Sequence, residues 1–236
     1  MIPARYASSR FPGKLLADLG GKPMVGWVCE RARASGAVSV TVATDDQRIR
    51  DVVEKLGYRA LMTRADHASG TDRIAEAVET LRLADGEIVV NVQGDEPLVP
   101  PDLIGEVAAS LARDPEASMS TICHAIHDEA SLSNPNIVKV VLDSRGRALY
   151  FSRSRIPYPR EPGGVCYRHA GIYGYRAGFL KKFATLAAAP QEKTEALEQL
   201  RALWHGYRIA VAVSDKEMPP EVNTPQDLER MRRMLA

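Results

Sequence analysis

Strand and helix periods alternate along the chain. Two β-branched runs, 38–43 and 88–92, each stop at a polar turn, Thr44-Asp45-Asp46 and Gln93-Gly94-Asp95. Apolar runs of that length with polar ends predict buried strands. Residues 119–124, 137–142, 148–151, 171–175 and 209–213 also predict strands. Helical periods occupy 24–34, 47–56, 72–83, 102–112, 179–186, 195–204 and 226–235. The early alternation predicts an α/β fold with a mostly parallel sheet and helices on both faces. The middle, 119–175, is richer in strands and predicts a smaller β-rich lobe within one domain spanning all 236 residues. Residues 156–164 hold three prolines and two glycines and predict a mobile loop.

In open parallel sheets, ligands bind beyond the carboxyl ends of the strands. Residues 3–14, Thr44-Asp45 and Gln93-Gly94-Asp95 occupy such positions, so three polar clusters are expected along one edge. The N-terminal cluster carries Arg5, Arg10 and Lys14 among small residues. Guanidinium forks, backbone N–H groups and an ammonium suit a polyphosphate. A solvated basic loop gives the same spacing, and the GxxxxGK[ST] phosphate loop is absent. Asp95 can hold Mg²⁺ against phosphate oxygens, or act as a turn residue capping the next helix. Ser69 or Thr71 can cap the helix that starts near 70, which also points its amides at a ligand. Glu198 and Gln199 read, on pattern alone, as an ordinary polar helix face.

Charge excludes some partners. Lys and Arg total 31 and Asp and Glu total 30, a net charge of +1, without the basic surplus of a duplex binder. No apolar stretch approaches the roughly 20 residues of a membrane span, so no membrane insertion is expected. The N-terminus lacks a signal pattern, and a cytoplasmic location is expected. Cys29, Cys123 and Cys166 are odd in number and widely spaced, which suits small, partly buried thiols. The near-zero total averages over a separated pattern. Residues 1–24 carry Arg5, Arg10, Lys14 and Lys22 against Asp18 alone.

The chain resembles the 3-deoxy-manno-octulosonate (Kdo) cytidylyltransferases of lipopolysaccharide synthesis along essentially its whole length. The resemblance lies in IPARYASSRFPGK at 2–14, GKPM at 21–24, VATDD at 42–46, TRADHASGTDRIAE at 63–76 and VNVQGDEPL at 90–98. It continues in NPNIVKVVLD at 134–143, ALYFSRSRIP at 148–157, RHAGIYGYRAGFL at 168–180, LEQLRALW at 197–204 and NTPQDLER at 223–230. Ten segments in one order make it specific. It implies a three-layer, Rossmann-like nucleotidyltransferase fold with a β-rich dimerisation lobe, and a homodimer. It implies CMP transfer from CTP to the anomeric hydroxyl of Kdo, with Mg²⁺ as cofactor. Arg10, Lys14 and Asp95 become the catalytic set. Ala4, Arg5, Arg10, Lys14, Ala43, Thr44, Asp45, Ser69, Gly70, Thr71 and Arg73 become CTP contacts. Gln93, Arg153, His169, Tyr173, Glu198 and Gln199 become Kdo contacts, with His169 a hydrogen-bonding group rather than a base. Ile137, Val140 and Leu149 are expected on a dimer surface. The rivals are an 8-amino-Kdo or sialic acid cytidylyltransferase, and a CTP-binding relative with impaired catalysis.

The chain departs from the family's pattern in three places. The family reads Asp, the second metal ligand, where this chain has Asn223. Thr224, Pro225 and Asp227 read as the cap, first and third residues of a helix, so Asp227 closes the helix start. Glu221 falls on the same side as Asn223 in an extended segment. Only Met1 and Ile2 precede Pro3, so the first strand is expected to be a stub that exposes its neighbours. A misplaced start or a trimmed chain is expected over a natural shortening. The loop near 157–166 is also short, which alters the lid over Kdo. The Asn223 departure gives a test. A neutral oxygen ligand holds Mg²⁺ more weakly than a carboxylate. Asn223→Asp is therefore expected to reach half-maximal turnover at lower Mg²⁺ than the parent. Unchanged Mg²⁺ dependence and turnover would sink the idea.

Overall fold

The structure is a computed structural model that describes residues 1–8, 10–161 and 164–235. Ser9 of the N-terminal loop, and Pro162 and Gly163 of the expected mobile loop, lie outside the described residues. The chain divides into two compact units. The first comprises Met1–Ala84, Val90–Gly105 and the chain from Met218 onward; the second comprises Asp85–Val89 and Glu106–Glu217.

The first unit holds a three-stranded parallel sheet, β1 (Ile2–Ala4), β2 (Thr41–Thr44) and β3 (Arg59–Met62), in that order. Helices α1 (Met24–Ala34), α2 (Gln47–Lys55) and α3 (Gly70–Thr80) connect and cover it. β1 is short, yet it is buried throughout, and so is β2, which corrects the expected exposure. Each of its residues pairs with β2, and the Val92 N–H donates to Met1 O at 3.0 Å, so both flanks are hydrogen-bonded. Asp46 caps α2, with the Arg48 N–H 2.9 Å from its carboxylate. A reciprocal capping box of Ser69 and Asp72 starts α3, which leaves Thr71 inside the first turn. The last helix of the unit, α9 (Pro225–Leu235), starts on the same device, with Thr224 and Asp227.

β3 has no strand signature in the sequence. Arg, Ala, Leu and Met all favour helix. Pairing with β2 over four residues sets its conformation instead.

The second unit is built on a mixed sheet. Its strands are β5 (Met119–Ile126), β6 (Lys139–Leu142), β7 (Ala148–Ser152), β8 (Cys166–Arg176) and β9 (Ile209–Val213), ordered β7-β6-β8-β5-β9. β4 (Ile88–Asn91), at whose centre the chain passes between units, pairs with β8. The β5–β9 pair is parallel; β5–β8, β6–β7 and β6–β8 are antiparallel. The strand-rich stretch 119–175 falls inside this unit. Helix α4 (Pro101–Arg113) enters it, and α5 (Glu129–Ser133) and α6 (Ala177–Phe183) follow β5 and β8.

The helix expected over 195–204 is two helices, α7 (Pro190–Glu195) and α8 (Gln199–Trp204). Ala196 breaks them apart in the left-handed region at φ 51°. Val140 is buried in the sheet and cannot belong to a dimer surface; Leu149 is 61% exposed. All three cysteines are buried and free, as isolated thiols should be.

A row of aromatic rings runs through this unit from Phe151 to His169, Tyr173, Tyr175 and Phe183. Within it the His169 imidazole is held down at about 3 by burial, with His124 adding repulsion. The unfolded imidazole titrates near 6.5, so the unfolded chain binds the extra proton in the window from 6.5 to 3. Stability therefore falls as pH drops through that window. The expected loss at pH 5 relative to pH 7 is about 2 kcal/mol from this group. Urea unfolding at both pH values checks it: His169→Gln should lose about 2 kcal/mol less than the parent. Equal losses in both proteins would contradict it.

Candidate functional site

The first unit contains a cleft of about 230 Å³ at the carboxyl ends of its strands. Its walls are Pro3, Ala4, Arg5, Ser8, Arg10, Lys14 and Leu15, then His67, Ala68, Ser69, Gly70 and Arg73, then Gln93, Gly94, Asp95 and Asn223. Two of the three polar clusters expected from the sequence thus meet here, joined by the start of α3 and by the segment before α9.

The loop after β1 closes on itself, with the Gly13 N–H donating to Tyr6 O at 3.0 Å. Gly13 has φ 70°, and a Cβ there would lie 3.0 Å from the Tyr6 ring, so only glycine makes this turn without strain. The turn leads into a short 3-10 helix, Lys14–Leu16, that aims Lys14 into the cleft. The Lys14 ammonium donates to Asp95 Oδ2 at 2.6 Å, Val222 O at 3.0 Å and Asn223 Oδ1 at 3.4 Å. Arg10 Nη2 donates to the same Asn223 oxygen at 2.8 Å. Asn223 Nδ2 donates to Glu221 Oε2 at 2.9 Å. The amide is therefore oriented from both sides, oxygen toward two cations and nitrogen toward an anion. Gly94 is needed where it stands, because a Cβ would come within 3.2 Å of Pro3 O and of the Leu15 methyls.

Glu96 follows Asp95 and is only 4% exposed, with Oε2 lacking a partner. Burial, with Glu221 and Asp95 close by, pushes its carboxyl well above the usual carboxylate range. Nothing in the sequence separates this residue from an ordinary turn acid, and the sequence reading missed it. It also missed His67, whose imidazole pairs with Glu76. A His before a helix cap carries no signal of its own.

Arg73, 3% exposed, spends its guanidinium on protein groups: Thr63 Oγ1 at 2.6 Å, Arg64 O at 3.2 Å and Asp45 Oδ2 at 3.0 Å. It holds the ends of β2 and β3 against α3. Ala43, Thr44 and Asp45 close β2, with Ala43 and Thr44 in register with Pro3 and Ala4; Thr71 is buried in α3. None of these four lines the cleft.

The oxygens of Asp95, Val222 and Asn223 already surround one cation, the Lys14 ammonium. Hard oxygen donors of this kind suit Mg²⁺, which takes few protein carboxylates. Among the described residues, no group of three or more His, Cys, Asp or Glu side chains is placed to hold a metal. The donor set that fits is thus one carboxylate with amide and backbone oxygens.

The other expected sugar contacts, apart from Gln93, lie in the second unit. The Arg153 guanidinium donates to the carbonyls of Glu195 at 2.6 Å, Pro135 at 3.1 Å and Ala196 at 3.4 Å. His169 Nε2 is 2.9 Å from Thr121 Oγ1. Tyr173 stacks obliquely on His169, with ring centroids 5.3 Å apart. Glu198 and Gln199 open α8; Gln199 is buried with Nε2 unpartnered, which a solvated polar face would not show. Among the described residues, no helix is long and apolar enough to cross a membrane.

The cytidylyltransferase family matches this chain over residues 1–209. A 3-deoxy-manno-octulosonate cytidylyltransferase from Verminephrobacter eiseniae is 56% identical over 253 aligned residues, covering 100% of this chain and 93% of that one. Its counterpart from Hahella chejuensis is 53% identical, covering 100% and 96%. A solved structure of CMP:2-keto-3-deoxy-manno-octonic acid synthetase complexed with CTP superposes with a TM-score of 0.93 at 44% identity, over 99% of this chain and 96% of that one. A cytidylyltransferase from Leptospira borgpetersenii shares the fold at TM-score 0.61 and 16% identity, over 98% and 83%. With more than half the sequence shared over full length, the chain belongs to the 3-deoxy-manno-octulosonate cytidylyltransferases, a family of nucleotidyltransferases.

Proposed function

We propose that this chain transfers CMP from CTP to the anomeric hydroxyl of Kdo, releasing pyrophosphate and activating the sugar for lipopolysaccharide synthesis. The observation that carries this reading is the cationic pair Arg10 and Lys14, gathered with Asp95 and Asn223 on one wall of a cleft that the start of α3 also lines. The hydroxyl oxygen attacks the α-phosphorus in line; the bond to the β-phosphate oxygen breaks, and the hydroxyl proton is lost to solvent. Such a reaction needs positioning and charge neutralisation more than covalent chemistry.

Arg10 and Lys14 bind the triphosphate and then the leaving pyrophosphate. Ala4, Arg5, Ser69 and Gly70 line the nucleotide's place, while Ala43, Thr44, Asp45, Thr71 and Arg73 fix the backbone that shapes it. A bound divalent cation supplies charge neutralisation, and Asp95 and Asn223 are the residues that would hold it. Arg153, His169, Tyr173, Glu198 and Gln199 of the second unit bind the sugar acid, and Gln93 lines the first unit's cleft. Consumption of CTP suits a cytoplasmic enzyme. The exposed Leu149 on β7 suits a homodimer contact.

Pyrophosphate release from CTP, assayed with Kdo, 8-amino-Kdo and sialic acid in turn, tests the reading. Release with Kdo alone is expected, and Lys14→Met should slow it about 100-fold or more. Preference for 8-amino-Kdo would reassign the sugar. CTP binding without release would make the chain a non-catalytic relative.

A further inference from the structure

Thr121 sits on β5 where the register with β8 shifts. Thr121 faces Tyr173, but the next residue, Ile122, faces Ala170. Gly171 and Ile172 are thus extra residues on β8, a bulge. In a regular strand, residues four apart are about 13 Å apart. Here the rings of His169 and Tyr173 come within 5.3 Å. The bulge draws them together.

The fully buried Thr121 hydroxyl holds this bulge closed. Its Oγ1 lies 2.8 Å from Ile172 O, 3.1 Å from Ala170 O and 2.9 Å from His169 Nε2. A hydroxyl has one proton, and carbonyl oxygens only accept. Two carbonyls compete for the one Thr121 proton, which points to His169 Nε2 as the donor in the third contact. The imidazole is neutral at ordinary pH, since burial holds it down at about 3, so it carries a single N–H. With that hydrogen on Nε2, Nδ1 keeps a lone pair. Phe151 packs edge-on against the ring, with centroids 4.9 Å apart.

We propose that Thr121 is a positioning residue for the sugar acid: it fixes His169 as the Nε2–H tautomer, so that Nδ1 accepts a hydroxyl of the polyhydroxylated substrate, and it clasps the bulge that sets Tyr173 beside it. The proposal rests on the reading that His169 meets the sugar. It makes His169 a neutral reader of hydroxyl donors.

Imidazole ¹⁵N NMR of the substrate-free protein reads the tautomer directly. The wild-type protein should show protonated Nε2 and bare Nδ1. Thr121→Val keeps the shape and removes the hydroxyl; it should lose the single tautomer. It should also raise KM for the sugar acid by up to about tenfold, the worth of one hydrogen bond, with KM for CTP changed less than twofold. Thr121→Ser should restore both. A wild-type spectrum with the hydrogen on Nδ1 overturns the proposal, and needs no variant to fold. So does a Thr121→Val protein with unchanged tautomer and unchanged sugar KM. An unchanged sugar KM in His169→Gln overturns instead the reading that His169 meets the sugar, because the tautomer is measured without substrate.

Discussion

The Lys14 ammonium is the tie on which the cleft depends. Its partners lie 81 positions along the chain, at Asp95, and 208 positions along, at Val222. Both charges of the Lys14–Asp95 pair are largely shielded from water, so each is costly unless paired, and removing one partner strands the other. The three segments therefore come together or not at all. The backbone repeats the link, with the Val222 N–H donating to Asp95 O at 2.9 Å. Gly94 lets the segment before Asp95 close on Pro3 and Leu15, and Asn223 extends the same network to Arg10 and Glu221. The groups that bind phosphate and metal in the proposed reaction thus organise their own site before either arrives.

The two units use different chemistry. In the first, Arg10 and Lys14 are held by acceptor oxygens at the cleft wall, and these cations suit a nucleotide triphosphate. In the second, neutral groups predominate. His169 is uncharged, the Thr121 hydroxyl is saturated by carbonyls, and Arg153 is occupied by backbone oxygens. A buried cation also serves structure there: the Lys139 ammonium donates to Asn134 O, Ile137 O and Arg153 O at 2.7 to 2.9 Å. Three neutral carbonyls closing on one ammonium tie together the segments that carry them.

Much of this was legible in the sequence. The helix at 24–34 and the strand at 209–213 follow from apolar periodicity alone. The Thr224–Asp227 cap follows from residue type and spacing, and the side shared by Glu221 and Asn223 follows from the two-residue period of extended chain. The cleft's basic and acidic members were legible as polar ends of buried strands. What escaped depends on tertiary partners. β3 is made of helix-forming residues and exists because β2 pairs with it. The break at Ala196 needs a left-handed alanine, which no propensity announces. Val140 looked like surface because a strand's alternation does not say which face is covered. Arg73 was legible as a site residue, but its use inside the protein emerges only from its three partners.

The account stands most directly on the coupling between Lys14 and Asp95. A double-mutant cycle with Lys14→Met and Asp95→Asn, on protein free of metal and nucleotide, measures that coupling by urea unfolding. The organising tie described above predicts a coupling of about 1–3 kcal/mol, with the double variant more stable than the two single losses would sum to. Single losses that add within about 0.5 kcal/mol would contradict it.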